Sequence, residues 1–241
     1  MLKLIQLEIK KFKMKGSLKG AIIANLSILA FLLLSIFGTK ANNEMIFNSW
    51  NDTFLFIGIF VRITFTIFAA VLISKLVIGE YKNKTINVLF TYPVSRKKIM
   101  LAKLVLILIF AFTSMITSNI FLGFSLFILN TFMNFIQEPL NMNILLPNLI
   151  NSAVYSLIFA FISLIPVYVG IIRKSVASTI VTEIIIVSLL NNGNEGHTLS
   201  NIIIIPIIFA IIGVVSSYLS IKDVEKVDVI NFNMHNVNIK Q

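Results

Sequence analysis

The stretch FLFIGIFVRITFTIFAAVLISKLVI, residues 54–78, decides the fold. Only Arg62 and Lys75 in it carry charge. A helix crossing the hydrocarbon of a bilayer needs ~20 mostly apolar residues, and this stretch supplies them. It does not alternate with the period of two that a membrane barrel strand requires. Working outward, comparable runs lie at Gly20–Phe37, Ile99–Leu129, Leu149–Ile172, Val176–Leu190 and Ile202–Ile221. The expectation is an all-α integral membrane protein of six transmembrane helices, forming a single domain over residues 1–241. The third run is too long for one straight crossing, since Leu104–Gln137 contains no charge. Asn130, Asn134 and Gln137 mark its exit near residue 130, and Pro139, Asn141 and Pro147 belong to an outer loop with some interfacial helix. The fifth run is short and contains Glu183. Without it five spans remain and the C-terminus changes sides.

Composition agrees. Of 241 residues, 57% are hydrophobic and 12% charged, with a mean hydropathy of +0.94. Soluble domains average ~45–50% apolar and ~25% charged residues, so this supply cannot build a water-soluble surface. The chain has no cysteine, which excludes disulfides, thiolate metal sites and cysteine nucleophiles. His197 and His235 are its only histidines, too few for a multi-histidine metal site in one chain.

The formal net charge is +10. In a soluble chain that would point to nucleic acid; here the positions of the charges give another reason, the retention of Lys and Arg on the cytoplasmic side. Lys3, Lys10, Lys11, Lys13, Lys15 and Lys19 precede the first span. Lys75, Lys82, Lys84, Arg96, Lys97, Lys98 and Lys103 surround the second connection. Arg173 and Lys174 separate spans four and five, and Lys222, Lys226 and Lys240 follow span six. Of the twenty basic residues only Lys40 lies on the opposite side and Arg62 within a span. With six spans both termini are cytoplasmic, and this partition is what supports the fifth span. Trp50, Tyr81, Tyr92, Tyr168 and Tyr218 lie near span ends, as interfacial aromatics do.

A cleaved signal peptide is the competing reading of the N-terminus. The apolar run at 20–37 exceeds the ~7–15 residues of a signal core, and Lys40 disfavours cleavage nearby, so it reads as a retained anchor. Within residues 1–19, Leu2, Ile5, Ile9 and Phe12 share a stripe among lysines. That suits a basic interfacial helix against anionic headgroups, or simply an orientation signal.

The connection at 80–98 is the most informative segment. Ile86, Leu89 and Phe90 fall on one face of a short helix beginning at Thr85. Pro93 stops it, and Ser95 can cap the following span. A short amphipathic helix held between two spans can present a rigid knob to a cytoplasmic partner; a basic turn that only sets topology is the alternative. The order of Glu80 at a span end, a short helix with Thr85 and Leu89, then Tyr-Pro-Val-Ser-Arg at 92–96 and Lys103 in the next span resembles the ABC-type exporter permeases of the second class. These include bacitracin-resistance and lantibiotic-immunity permeases. The six-span plan extends the likeness over nearly the whole chain. One departure is Tyr81-Lys82-Asn83-Lys84, where family members often carry Gly.

The resemblance implies that Glu80, Thr85, Ile86, Leu89, Phe90, Pro93, Ser95, Arg96 and Lys103 belong to a coupling loop docking on a nucleotide-binding subunit. It further implies two ATPase subunits, a second permease subunit, identical or related, and an amphipathic or antimicrobial peptide or other hydrophobic compound as substrate. No G-x-x-x-x-G-K-[ST] phosphate loop occurs in the chain. ATP and magnesium are therefore expected on the partner, with no cofactor, no catalytic residue and no nucleic acid on this chain.

Arg62 and Glu183 are charges within spans, which usually face protein or water. Counted from opposite sides, they lie ~12 Å and ~10 Å deep at 1.5 Å per residue, so long side chains can meet in a ~30 Å core. They are expected to pair, locking two helices, or to border a translocation path; Arg62 snorkelling outward is the alternative. Thr113, Ser114, Thr117, Ser118 and Asn119 are expected to bond between helices, and Pro166 to kink the fourth span. Asn191–Asn201, with Glu195 and His197, reads as a polar outer loop. Paired intramembrane acids or a Ser-His pair are missing, which argues against a membrane protease. An ion-coupled transporter or accessory membrane protein without an ATPase remains the alternative to an ATP-driven exporter. The abundance of Ile, Lys and Asn points to a low-GC, Gram-positive bacterium and its plasma membrane.

Overall fold

The computed structural model describes residues 15–41, 49–82, 96–136, 138–192 and 198–223. The expected N-terminal interfacial helix at 1–14, the loop at 83–95, His197 and the C-terminal tail lie outside these residues.

The described chain is helical throughout, with no strand among the described residues. Helix α1 spans Lys15–Ala41. Helix α2, Trp50–Ile73, continues through a π-helical turn, Ser74–Ile78, into the short α3, Gly79–Lys82. Helix α4 covers Arg96–Met133; at 38 residues it is ~57 Å long and outreaches a ~30 Å hydrocarbon core. Helices α5, Met142–Ile162, and α6, Ile165–Arg173, form one broken rod. Helix α7, Val176–Asn191, has 16 residues, and α8 runs over Ile204–Asp223 after a 3₁₀ turn at Leu199–Asn201. Five rods are long and apolar enough to cross a membrane, and α7 is a shorter apolar sixth.

Successive rods run antiparallel between two ends, here called the Trp50 end and the Glu80 end. At the first, Trp50 Nε1 donates to the Glu138 carbonyl at 2.8 Å and Asn148 Nδ2 to Asn51 Oδ1 at 2.7 Å. At the second, Ser74 Oγ donates to the Val176 carbonyl at 3.4 Å. Helix α2 is central: it packs against α4, α7 and α5, and more lightly against α1 and α6. Ile57, Val61, Phe65, Ala69 and Ile73, four residues apart, are buried along one face of it. Its start is capped by Ser49, whose Oγ accepts from Asp52 N at 3.2 Å. Outward positions such as Ile22, Leu34, Ile184, Ile204 and Ile211 are exposed and apolar. Lipid as solvent accounts for that surface.

The expected kink near Pro166 is a true break. Pro166 cannot donate a backbone hydrogen bond, and the chain turns at Ser163–Leu164, where Leu164 N donates to Phe161 O at 3.1 Å and Ser163 Oγ to Ala160 O at 2.8 Å. Helix α8 is pressed onto this break. A β-carbon at Gly213 would overlap the Phe161 carbonyl oxygen. The expected bonds between helices from α4 are not formed by three of its polar residues. Thr113, Thr117 and Asn119 donate to Ile109, Thr113 and Met115 carbonyls of their own helix, the route open to short polar side chains where no water competes.

Because the obstacle at Gly213 is backbone, no side-chain movement relieves it. Gly213→Ala is expected to cost ~1–3 kcal/mol and lower the melting temperature of the detergent-solubilised protein, whereas Val214→Ala, on the exposed face, is not. Fluorescence-detected size exclusion after heating reads the difference.

Candidate functional site

Two constellations of charge sit inside the bundle. The first closes the Glu80 end. A π-turn carries one residue more than an α-turn and leaves backbone carbonyls short of their usual partners. In Ser74–Ile78 the Leu76 carbonyl accepts instead from Lys103 Nζ of α4 at 2.9 Å. The same ammonium is ion-paired with Glu80, two residues past the turn. The Lys103 side chain is only 3% exposed and that of Glu80 12%. The two therefore face each other within the bundle. Ser74 ties the turn to the first residue of α7, and Ile78 lies against Gly170 of α6, where a β-carbon would collide with it and with Thr179.

The other basic positions gather at the same end. Lys19, Lys75, Lys82, Arg96, Lys97, Lys98, Arg173, Lys174 and Lys222 all stand at helix ends there or within about two turns of them, while Lys40 stands at the opposite end of α1. Arg96 is the first residue of α4. Thr85, Ile86, Leu89, Phe90, Pro93 and Ser95 fall outside the described residues.

The second constellation lies deeper. Arg62 and Glu183 are both buried on helices that pack together, α2 and α7. The expected ion pair between them is not formed: neither Glu183 oxygen has a hydrogen-bond partner. Thr66, one turn from Arg62, lies against the carboxyl, but its hydroxyl donates to Arg62 O at 2.7 Å and Ile63 O at 3.1 Å. Arg62 turns instead to α5. Its guanidinium carbon stands 4.8 Å from the Tyr155 ring centre and 5.2 Å from that of Phe159. Aromatic faces attract a cation within about 6 Å, and the Arg62 guanidinium lies over both rings. Beside this pair, Ile63 and Ile67 of α2 with Ile184, Val187, Ser188 and Asn191 of α7 line a cavity of about 390 Å³.

The profile described as "ABC-2 family transporter protein" matches residues 4–191, from before α1 to the end of α7. The chain belongs to the ABC-2 transporter family. It is also 40% identical over 225 residues to the "Uncharacterized protein YcbO" of Bacillus subtilis (strain 168), covering 93% of this chain and 99% of that one. No solved structure matches. As an ABC-2 family member the chain is a multi-pass membrane subunit of a transporter, and the resemblance carried by Glu80, the 92–96 segment and Lys103 is to its own family.

Of the site residues read from sequence, the structure brings Glu80 and Lys103 into contact, and sets Arg62 and Glu183 in one interface without joining them. It adds Leu76, Ser74 and Gly170, which the sequence reading missed. A π-turn has no hydrophobic period of its own. The only available signal was Ser74-Lys75, two polar residues interrupting an apolar span directly before Gly79-Glu80.

An unpartnered buried carboxyl contributes no attraction that an amide would lose, and burying it without a partner is costly. Glu183→Gln is therefore expected to leave the melting temperature in mild detergent unchanged or raised. Phe159→Ala removes a fully buried ring and one face of the Arg62 cradle, and is expected to cost ~3–5 kcal/mol. A lower melting temperature for Glu183→Gln than for the parent chain would contradict this account.

Proposed function

We propose that this chain is the membrane-spanning subunit of an ATP-driven ABC exporter in the plasma membrane of a Gram-positive bacterium. It crosses six times with both termini in the cytoplasm, and loop 83–95 docks on a separate nucleotide-binding subunit. One observation carries the reading. In a member of the ABC-2 family, the two strands of chain leading into that loop are pinned together by a buried ion pair at the end where the basic residues collect. Basic residues are retained on the cytoplasmic side, which supports the Glu80 end as the inner one and is consistent with inner termini. Docking falls to the loop itself, with Thr85, Ile86, Leu89, Phe90, Pro93, Ser95 and Arg96; Glu80 and Lys103 form its base. The partner ATPase would be present in two copies and hold ATP and magnesium, and a second permease subunit would complete the transporter. The similarity to a Bacillus protein supports the Gram-positive assignment.

For the cargo, an amphipathic or antimicrobial peptide or another hydrophobic compound suits the open cleft between α2 and α7, where Ile63, Ile67, Ile184 and Val187 lie beside Ser188, Asn191 and Asn192. Ion-coupled transport without an ATPase is the second reading, favoured by the unpartnered carboxyl of Glu183.

Purification of the tagged chain from its native membrane in mild detergent, with mass spectrometry of what accompanies it, separates the readings. The expected result is a stoichiometric P-loop ATPase, lost when Leu89→Ala and Phe90→Ala are combined with Arg96→Glu. An intact chain with no ATPase would remove the exporter reading and leave ion coupling at Glu183.

A further inference from the structure

The Ser74–Ile78 turn is the one place in the described bundle where four rods meet through specific contacts at one end. Lys103 reaches it from α4, Gly170 packs on it from α6, and Ser74 bonds to the start of α7. Glu80 lies three residues before the loop at 83–95, and Lys103 lies eight residues after its end. Their ion pair ties the base of the loop, and Lys103 attaches that base to the turn through Leu76 O. Helices α6 and α7 are joined at the same end by a tight reversal through Lys174, with φ 46°, and Ser175.

A displacement of the chain at Glu80 relative to the turn therefore strains the contacts of the buried Lys103 ammonium with Glu80 and Leu76 O. π-turns also differ from α-turns by a single residue of register, and they concentrate at functional positions for that reason. One carbonyl of this turn accepts from a charge on another helix.

We infer that Lys103 is a positioning residue for energy coupling: with Glu80 and the π-turn at Ser74–Ile78 it forms the joint that carries movement of the 83–95 loop into α6 and α7. The inference rests on the reading that this loop docks on an ATPase. Lys103 lies beneath the docking surface, because its ammonium is engaged within the bundle. Docking and transmission are therefore separable.

The absence of native cysteine allows a direct test. Leu101→Cys on α4 and Ile172→Cys on α6 place nitroxide labels at exposed sites near the joint. The labelled chain is co-purified with its ATPase and placed in lipid nanodiscs. The distance between the labels is then read by pulsed electron paramagnetic resonance without nucleotide and after trapping with ATP and vanadate. In the parent complex trapping is expected to shift the distance by about 2 Å or more, the scale of helix displacement at such interfaces. Lys103→Met is expected to retain the ATPase and its vanadate-trapped nucleotide but to lose the shift. Lys103→Arg, which keeps a cation with several donors, is expected to restore it.

A Lys103→Met complex that keeps the full shift would overturn the inference, as would one that loses the ATPase, since Lys103 would then act in docking. If Lys103→Met does not accumulate, Glu80→Gln is measured in its place: a reduced shift supports the joint and an unchanged one overturns it. A parent chain that brings down no ATPase overturns the underlying reading, and the inference falls with it.

Discussion

Hydrocarbon offers no hydrogen bonds, and that constraint shapes this bundle more than any single contact. Each polar group along a span must be met from within the protein. The common solution here is local: Thr113, Thr117, Ser125, Ser217 and Ser220 donate to carbonyls three or four residues back on their own helices. Where a rod departs from α-helical geometry, other elements cover the departure. The Ser163–Leu164 break lies under α8, with Gly213 against Phe161. The π-turn of α2 lies under α4, α6 and α7. Both departures thus lie where protein, not lipid, covers them.

The two buried charge sites meet the same constraint in opposite ways. Lys103 is compensated by a carboxylate and a carbonyl, and the helices around it are close enough to exclude a methyl group at Gly170. That site is built to hold one geometry. Arg62 is compensated only through the faces of two rings, and Glu183 has no hydrogen-bond partner. The open cleft nearby is lined by its neighbours Ile184 and Val187, not by Glu183 itself. Buried polar groups left unmatched are costly. The bundle is therefore tight at the Glu80 end and energetically unfinished in the middle of the α2–α7 interface.

What was legible in the sequence follows from the same physics. A span announces itself by composition alone, because twenty apolar residues have few other uses, and the one-sided distribution of Lys and Arg identified the end of the bundle that matters. Family kinship was legible because Glu80, the 92–96 segment and Lys103 keep their order along the chain. Partnerships were not. Arg62 and Glu183 lie at compatible depths, yet depth along the normal says nothing about azimuth, and Tyr155 and Phe159 of α5 take the guanidinium instead. Asn119 was expected to bridge helices, but nothing in its spacing distinguishes that from a bond to Met115 O. Trp50 stands at a span end, as expected, but the sequence does not show that its indole is buried and bonded to the Glu138 carbonyl. Each miss concerns which partner a polar group chooses, a matter of three-dimensional packing that linear periodicity does not carry.

The Trp50 end is fastened separately from the Glu80 end. There the chain between α4 and α5 is fastened to α2: Trp50 N and Nε1 bond to Glu138, and Asn130 bonds Ile136 through both its amide oxygen and nitrogen. Helices α2, α4 and α5 are thus clasped at this end, and α2 and α4 are clasped again at the other by Lys103. Among the described residues helix α7 is tied to the π-turn at its first residue and meets the 3₁₀ turn Leu199–Asn201 at its other end, where its last turn lines the cleft. It is also the shortest rod that contacts α2 along the membrane region, ~24 Å at 16 residues. Helix α7 thus begins on the turn whose Leu76 carbonyl Lys103 binds and ends beside an open cleft.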